Sequence, residues 1–136
     1  MPTENVVSLD EDRLLNHLSY SIPQLCWINE LMVPLGGWLA AGITAGATVI
    51  VAPATGRFSG CAVQTVLALG ARTVVAAGRS EAGLGSIEKL DSGGRVRTVR
   101  LSSDVETDAQ KLRSASRDIG TDVYLDFSSP QAGALL

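Results

Sequence analysis

The sequence predicts an α/β fold built on a parallel β-sheet, and three observations support this. Four short runs rich in apolar and β-branched residues recur from residue 48 onward, with starts about 25 residues apart. That spacing is the length of one strand plus one crossover helix. The segments between the runs carry apolar residues at helical spacing, and turn residues bound them. Alternating strands and helices imply a parallel sheet with right-handed crossovers.

The predicted strands are TVIVA (48–52), RTVVAA (72–77), VRTVRL (96–101) and DVYLDF (122–127). The first two are almost entirely apolar, as expected of strands that are buried on both faces of a sheet. The third alternates apolar and polar residues, which suits a strand at the sheet edge with one wetter face. We therefore predict a parallel sheet of about four strands.

Three crossover helices are predicted between these strands. The first is expected after Gly56, where an apolar stripe at helical spacing begins. The second is expected after Ser80 and the third after Asp104, because serine and aspartate side chains cap helix N-termini. The third helix is expected to end at Gly120. The residues expected to face the sheet are Phe58, Ala62, Val66 and Leu69 in the first helix, Ile87 and Leu90 in the second, and Val105, Ala109, Leu112 and Ile119 in the third.

A mostly helical segment is predicted before the sheet. Residues 10–19 are expected to form a short helix with Leu18 among its inward residues, and residues 23–39 are expected to be helical in parts, with a break or new start at Pro34. The chain thus divides into residues 1–46 and a sheet-containing domain over residues 47–136.

Composition narrows the range of functions. The chain has 136 residues, 46% of them apolar, and a net charge of −3, so we expect a buried core and no nucleic-acid partner. One histidine and two cysteines without metal-like spacing argue against a zinc site and against a disulfide framework. The polar, acidic N-terminus does not resemble a signal peptide, so a cytoplasmic location is expected.

An uncharged run over residues 31–56 is long enough to span a bilayer, which takes about 20 residues. Proline and several glycines divide it. A short helix followed by a buried strand therefore explains this run better than a membrane span, and no membrane partner is expected.

The stretch VIVAPATGRFSGCAVQ (49–64) runs from a strand through a glycine-bearing turn into a helix. A pyrophosphate needs free backbone N–H groups at a helix N-terminus and no side chain in the way. Gly56 fills the middle glycine position of the dinucleotide fingerprint, whereas Pro53 and Ser59 occupy the first and last positions. An arginine at a helix N-terminus is unfavourable unless an anion lies nearby, which favours a bound phosphate. The predicted pyrophosphate residues are Thr55, Gly56, Arg57, Phe58 and Ser59.

The end of the second strand predicts which dinucleotide binds. NAD-binding folds carry an acid there for the ribose 2′-hydroxyl, about 20 residues after the turn. This chain has Gly78, Arg79 and Ser80 at that position. A small residue followed by arginine leaves room and charge for a 2′-phosphate, so we predict NADP(H), with an ordinary surface arginine as the alternative.

These motifs together resemble a known family. The run VPLGGWLAAGITAGATVIVAPATGRFSGCAVQTVLALGARTVVAAGRS is similar to the medium-chain dehydrogenase/reductase superfamily, in its zinc-type alcohol dehydrogenase and quinone reductase group. It is similar in particular to alcohol dehydrogenase-like members, common in fungi, that read APATG.FGGAAV…ALGA…AAGR. In that subgroup proline before ATG is normal, and glycine stands where this chain has Ser59. TENVVSLDEDRLL resembles the end of the family's catalytic domain, and DVYLDFSSPQAG resembles the fourth strand of its cofactor domain.

The resemblance implies a partial Rossmann fold over residues 47–136 with strand order 3-2-1-4, preceded by the end of a catalytic domain and linking helices over residues 1–46. It also implies that the family's zinc ligands and the last strands of the cofactor domain lie outside this sequence, so that the chain is a shortened member and holds no zinc.

Three functions remain open from the sequence. The first is an NADP-dependent oxidoreductase that transfers hydride to or from a small carbonyl, alcohol or enone substrate, with its catalytic residues unassigned. The second is an inactive remnant or a scaffold that dimerises through the exposed edge of the sheet. The third is a redox-free isomerase, cyclase or lyase, with polar groups drawn from His17, Tyr20, Glu30 or Asp126.

Overall fold

The computed structural model describes residues 12–117 and 119–128. The predicted helix start at residue 10 and the end of the DVYLDFSSPQAG motif lie outside the described residues. The two segments of the sequence that carry the predicted site, the turn after the first strand and the end of the second, lie inside them.

Four parallel strands form a single sheet, which confirms the α/β prediction. They are β1 (Thr48–Ala52), β2 (Thr73–Gly78), β3 (Val96–Arg100) and β4 (Val123–Asp126). Their order in the sheet is β3-β2-β1-β4, with every pair parallel, as the resemblance implied. From β1 the chain adds β2 and β3 on one side and then returns to add β4 on the other side, so the order reverses between β1 and β4. Such a switch point is where open α/β sheets bind ligands.

The pairing register aligns the carboxyl ends of the strands along one edge of the sheet. Ala52, the last residue of β1, pairs with Asp126, the last residue of β4. Gly78 at the end of β2 pairs with Arg100 at the end of β3. The loops that follow all four strands therefore meet at this edge, which we call the carboxyl edge.

Within the described residues, five α-helices accompany the sheet. They are α1 (Ile22–Leu25), α2 (Ile28–Ala40), α3 (Arg57–Ala68), α4 (Glu81–Glu88) and α5 (Val105–Ala115). Residues of α2, α3 and α4 form one core with one face of the sheet, and α5 forms a second, smaller core with the opposite face. The three predicted crossover helices are thus present, and two layers of helix enclose the sheet.

Trp38 anchors the larger core. Its side chain is fully buried between the helices, and its indole Nε1–H donates to the carbonyl oxygen of Ala62 at 3.0 Å. This bond joins α2 to α3 and satisfies the one polar atom of the buried ring. The predicted break at Pro34 is wrong, because Pro34 is buried inside an uninterrupted α2.

The N-terminal segment departs in part from the prediction. Within the predicted helix over residues 10–19, Arg13–His17 form a single π-helical turn, and Leu18, expected to face inward, is exposed. The uncharged run over residues 31–56 divides into most of α2, a turn, β1 and the loop after it. In residues 12–117 and 119–128, no helix combines the length and hydrophobicity needed to cross a bilayer.

Several residues expected to face the sheet do not. Phe58 and Val105 are 41% and 64% exposed because they lie in the first turns of α3 and α5, at the carboxyl edge of the sheet. Leu90 follows the end of α4 and is 40% exposed. Ile119 is also exposed, since α5 ends at Ala115 rather than at Gly120.

Helix α4 approaches the turn after β1 very closely, at Gly83. A Cβ atom added to Gly83 would lie 2.8 Å from Cγ2 and 2.9 Å from Cβ of Thr55. Rotation of the threonine side chain does not move its Cβ atom. The hydrogen of Gly83 therefore allows α4 to pack against this turn.

We expect Gly83→Ala to lower the free energy of unfolding by about 1–3 kcal/mol through overpacking, although alanine favours helices. Gly85→Ala in the same helix is the matched control, since an added Cβ there meets no atom within 4 Å. That control should raise stability by up to about 1 kcal/mol. Urea unfolding of both variants measures this, and an equal gain in stability for the two would contradict the close approach.

Candidate nucleotide-binding site

The turn between β1 and α3 lies at the carboxyl edge, between the ends of β1 and β2. The amide of Ala54 donates to the carbonyl oxygen of Ala77 in β2 at 2.7 Å, which fixes the turn to the neighbouring strand. The side chain of Thr55 lies close to Gly78 and Gly83. Thr55 was predicted to contact the pyrophosphate, and its side chain packs against β2 and α4.

Gly56 and Ser59 close the start of α3. Gly56 is the N-cap residue, and the Ser59 hydroxyl accepts from its amide at 2.9 Å and donates to its carbonyl oxygen at 3.1 Å. The Ser59 side chain is buried, so the structure uses this hydroxyl inside the turn rather than presenting it to a ligand. The first amides of a helix have no partner within it, which leaves the backbone N–H groups of residues 57–59 as the donors for an anion.

Arg57 has an intramolecular partner. Its guanidinium forms a hydrogen-bonded ion pair with Glu30 in α2, and it lies 5.4 Å from the ring centroid of Trp27. The anion that makes an arginine favourable at this helix N-terminus is therefore the Glu30 carboxylate. Arg57 at this helix N-terminus therefore does not by itself require a bound phosphate, and its contact with a pyrophosphate stays a prediction.

Glu30 is buried at the contact between α2 and α3. Its Oε1 accepts from Arg57, whereas Oε2 is buried and has no hydrogen-bond partner among the described residues. Burial raises the pKa of the neighbouring Cys61 thiol, the charge of Glu30 raises it further, and Arg57 opposes both effects. A buried thiol of raised pKa stays protonated at neutral pH, which argues against a nucleophilic role for Cys61.

Arg79 follows β2 directly and lies beside two depressions. The first is a cavity of about 280 Å³ at the carboxyl edge. The second is an open cleft of about 870 Å³ that continues along the end of β3. Arg79 lines both, and within residues 12–117 and 119–128 no carboxylate lies within ion-pair distance of it.

The smaller cavity combines apolar walls with a charged rim. Its apolar walls come from the end of β3 and from one face of α5, and its remaining boundary from residues that follow β1, β2 and β4. Such a cavity suits a flat aromatic ring that carries an anionic substituent next to the guanidinium. The lining of this cavity includes Pro53, Gly78, Arg79, Leu101, Val105 and Leu112.

Gly78 and Ser80 flank this arginine as predicted. Gly78 is the buried last residue of β2, and because it is glycine no side chain projects from that end of the strand. Ser80 is the N-cap of α4, and its hydroxyl accepts from the amide of Gly83 at 3.2 Å. The hydroxyl proton of Ser80 remains a donor for a phosphate oxygen next to Arg79.

Two further cations line the cleft and were not predicted as site residues from the sequence. Arg100 at the end of β3 pairs with Glu81 at 3.2 Å, and Lys111 in α5 lies 3.2 Å from the carbonyl oxygen of Arg100. The available signal was the excess of basic residues over 57–100, with seven bases and three acids. That excess does not reveal which basic residues converge, since Lys111 comes from the next helix.

The polar residues considered for catalysis are not brought together. His17 and Tyr20 are exposed in the N-terminal segment, and neither lines the cavity or the cleft. Asp126 ends β4 and accepts from the amide of Ser128 at 2.7 Å. Within the described part of the chain, no three histidine, cysteine, aspartate or glutamate side chains cluster as metal ligands would.

Comparison with solved structures finds the same fold within parts of two dehydrogenases. No protein-family model matches the sequence, and no curated protein sequence matches it. Galactitol-1-phosphate dehydrogenase from Escherichia coli superposes with a TM-score of 0.66 at 23% identity, over 85% of this chain and 32% of that one. The zinc dependent alcohol dehydrogenase 2 from Streptococcus pneumonia, in its apo form, superposes with a TM-score of 0.61 at 18% identity, over 77% and 30%.

These superpositions confirm the partial Rossmann fold and, at the level of the fold, the resemblance to alcohol dehydrogenases. The chain spans about a third of the length of each of these dehydrogenases. The assignment to a fungal-type subgroup stays a prediction.

The Arg57–Glu30 pair generates a stability prediction. Arg57→Ala should lower the free energy of unfolding by about 2 kcal/mol, because it leaves a buried carboxylate without its partner. The double variant Glu30→Gln/Arg57→Ala should recover most of that loss, since the neutral amide no longer needs a cation. Thermal unfolding of the wild-type protein and the two variants measures this, and equal losses in the single and double variants would contradict the prediction.

Proposed function

We propose that this chain carries the NADP(H)-binding half-domain of an alcohol-dehydrogenase-like oxidoreductase. The observation that carries the proposal is Arg79, which stands without a carboxylate partner in the described part of the chain, beside an apolar cavity at the switch point of the sheet. The dehydrogenase fold of the chain supports the same conclusion.

The adenosine end of the cofactor would occupy the smaller cavity. The adenine ring would lie between the apolar residues of β3 and α5, with its ribose at Gly78, where no side chain intervenes. The 2′-phosphate would then meet the Arg79 guanidinium and the Ser80 hydroxyl. A charge-assisted contact of this kind is about twice as strong as a neutral hydrogen bond.

The pyrophosphate would lie against the first turn of α3. The amides of residues 57–59 point out of the helix N-terminus, and the helix dipole adds to their attraction for an anion. Arg57 contributes no net charge there, because Glu30 neutralises it. Because residue 56 is glycine, it has no side chain that could block the approach of a phosphate to these amides.

Phosphorylated cofactor is favoured over NAD(H) by the charges at the end of β2. Glu81, the first acid after β2 in the sequence, pairs with Arg100 at 3.2 Å rather than standing alone at the ribose position. Asp108 also lines the cavity, but its oxygens accept from the amides of residues 102–103. Both side chains of the Glu81–Arg100 pair are largely exposed, so it is weak and contributes little to either form of the cofactor. Arg79 is then the residue that distinguishes the two.

The reaction would be hydride transfer between the nicotinamide C4 and a small carbonyl, alcohol or activated alkene. The cofactor supplies that chemistry when bound. The described residues bind and orient its adenosine and pyrophosphate portions, and we assign no proton donor. A cytoplasmic location belongs to the same proposal.

Wild-type protein should bind NADPH at least tenfold more tightly than NADH, the difference expected of one charge-assisted contact. Arg79→Ala should remove the preference and leave NADH affinity within about twofold, because only the phosphate contact is lost. Arg72→Ala is the matched control and should change neither affinity, because Arg72 is an exposed arginine that directly precedes β2, at the end of the strand away from Arg79. Fluorescence titration measures both cofactors, and equal affinities in the wild-type protein would overturn the NADP assignment.

A homodimer through β4 is also part of the proposal. Within the described residues β4 pairs only with β1, so its other edge is open to a second copy. Light scattering should then give about twice the 14.2 kDa of the chain. Tyr124→Lys, which adds a charge to this edge strand, should lower the mass, whereas Tyr20→Lys, at a similarly exposed tyrosine, should not. A monomer at all concentrations would overturn the dimer.

A further inference from the structure

The loop between β3 and α5 holds a serine in an unfavourable backbone conformation beside the cavity. Ser103 has φ of +74°, in the left-handed region that residues other than glycine rarely adopt. Ser103 also lines both the cavity and the cleft, as Arg79 does. Backbone strain persists only where surrounding contacts hold it in place.

Asp108 supplies those contacts. This buried side chain in α5 accepts from the Ser102 amide at 2.9 Å to each oxygen, from the Ser102 hydroxyl at 2.8 Å and from the Ser103 amide at 3.0 Å. Lys111 lies 3.4 Å from one of its oxygens. The Ser102 amide is the largest cause that lowers the pKa of the Asp108 carboxyl, so the side chain is ionised at neutral pH.

The start of α5 does not need Asp108 as a cap. Asp104 is the N-cap residue, and its side chain accepts from the amide of Thr107 at 3.0 Å. Asp108 instead turns back from the first turns of the helix to the loop before it. Its hydrogen bonds thus serve the conformation of residues 102–103.

We infer that Asp108 is a positioning residue for nucleotide binding, which fixes Ser103 as the wall of the cavity that Arg79 also lines. The inference rests on the proposed function, because it concerns the same cavity. A wall that is already in place before the ligand arrives reduces the ordering cost of binding. Asp108 lines the cavity as well, but both of its oxygens accept from the Ser102 and Ser103 amides. Loss of Asp108 should therefore weaken nucleotide binding through the position of Ser103.

The test compares two aspartates of the same helix in the full chain. Asp108→Asn removes one acceptor oxygen and turns an amide donor toward the Ser102 and Ser103 amides, so the NADPH Kd should rise about tenfold. Asp104→Ala removes the helix cap but none of the contacts to Ser103, so its Kd should stay within about twofold of wild type. Melting temperatures of both variants show whether they lose comparable stability.

Rescue by glycine separates positioning from a general loss of stability. Glycine adopts a positive φ without strain, so Ser103→Gly/Asp108→Asn should regain most of the lost affinity. Arg117→Gly/Asp108→Asn is the matched control, because Arg117 also has a positive φ, of 60°, and lines neither the cavity nor the cleft. That second variant should stay as weak as Asp108→Asn.

The outcomes are distinct. Absence of NADPH binding to the wild-type protein overturns the proposed function and this inference with it. Wild-type binding with equal losses for Asp104→Ala and Asp108→Asn, or with rescue by Arg117→Gly, overturns the inference alone. Hydrogen exchange of the wild-type protein gives a further test if Asp108→Asn does not fold, since the Ser102 and Ser103 amides should be protected before ligand is added. Unprotected amides would overturn it.

Discussion

The parallel pairing of β1 with β2 and with β4 is the constraint on which the candidate site depends. It brings the loop after each strand to the same edge of the sheet, although these loops are separated by dozens of residues in the chain. A shift of one residue in this register would turn every side chain to the opposite face. The fully buried valines of β1 and β2, which contribute to both cores, oppose such a shift.

Much of this arrangement could be predicted from the sequence. Strands buried in a parallel sheet appear in the sequence as apolar runs. The runs that contain Val49 and Val51 in β1, and Val74 and Val75 in β2, therefore predict buried strands without knowledge of which strands pair. Helix positions follow equally from spacing. Exposure of the helix ends could not be predicted, because Val105 satisfies the apolar pattern of α5 and yet lies beyond the strand that it would cover.

The site was less predictable, because sequence gives residue types and not partners. Arg57 and Arg79 each follow a strand, and both were expected to face phosphate. Only their surroundings distinguish them. Arg57 has a buried carboxylate from α2, 27 residues earlier in the chain, whereas Arg79 has no such neighbour among the described residues. The role of Asp108 could not be predicted from the sequence either, because its contacts with the loop depend on how α5 packs at the end of β3.

The distribution of charge determines where selectivity for the cofactor can arise. At the start of α3, Glu30 cancels Arg57, and the Ser59 hydroxyl accepts from the Gly56 amide, so under the proposed binding the attraction for a pyrophosphate would come from a few amides and the helix dipole. At the ends of β2 and β3, Glu81 offsets Arg100 and Asp108 offsets Lys111, which leaves Arg79 uncompensated. Both NAD(H) and NADP(H) carry the pyrophosphate, but only NADP(H) places a phosphate on the ribose. Under the proposed binding, Arg79 would meet the ribose phosphate that distinguishes the two cofactors, since it is the uncancelled one of the three cations that line the cavity or the cleft in the described residues. The neutral start of α3 would meet the pyrophosphate that both cofactors share.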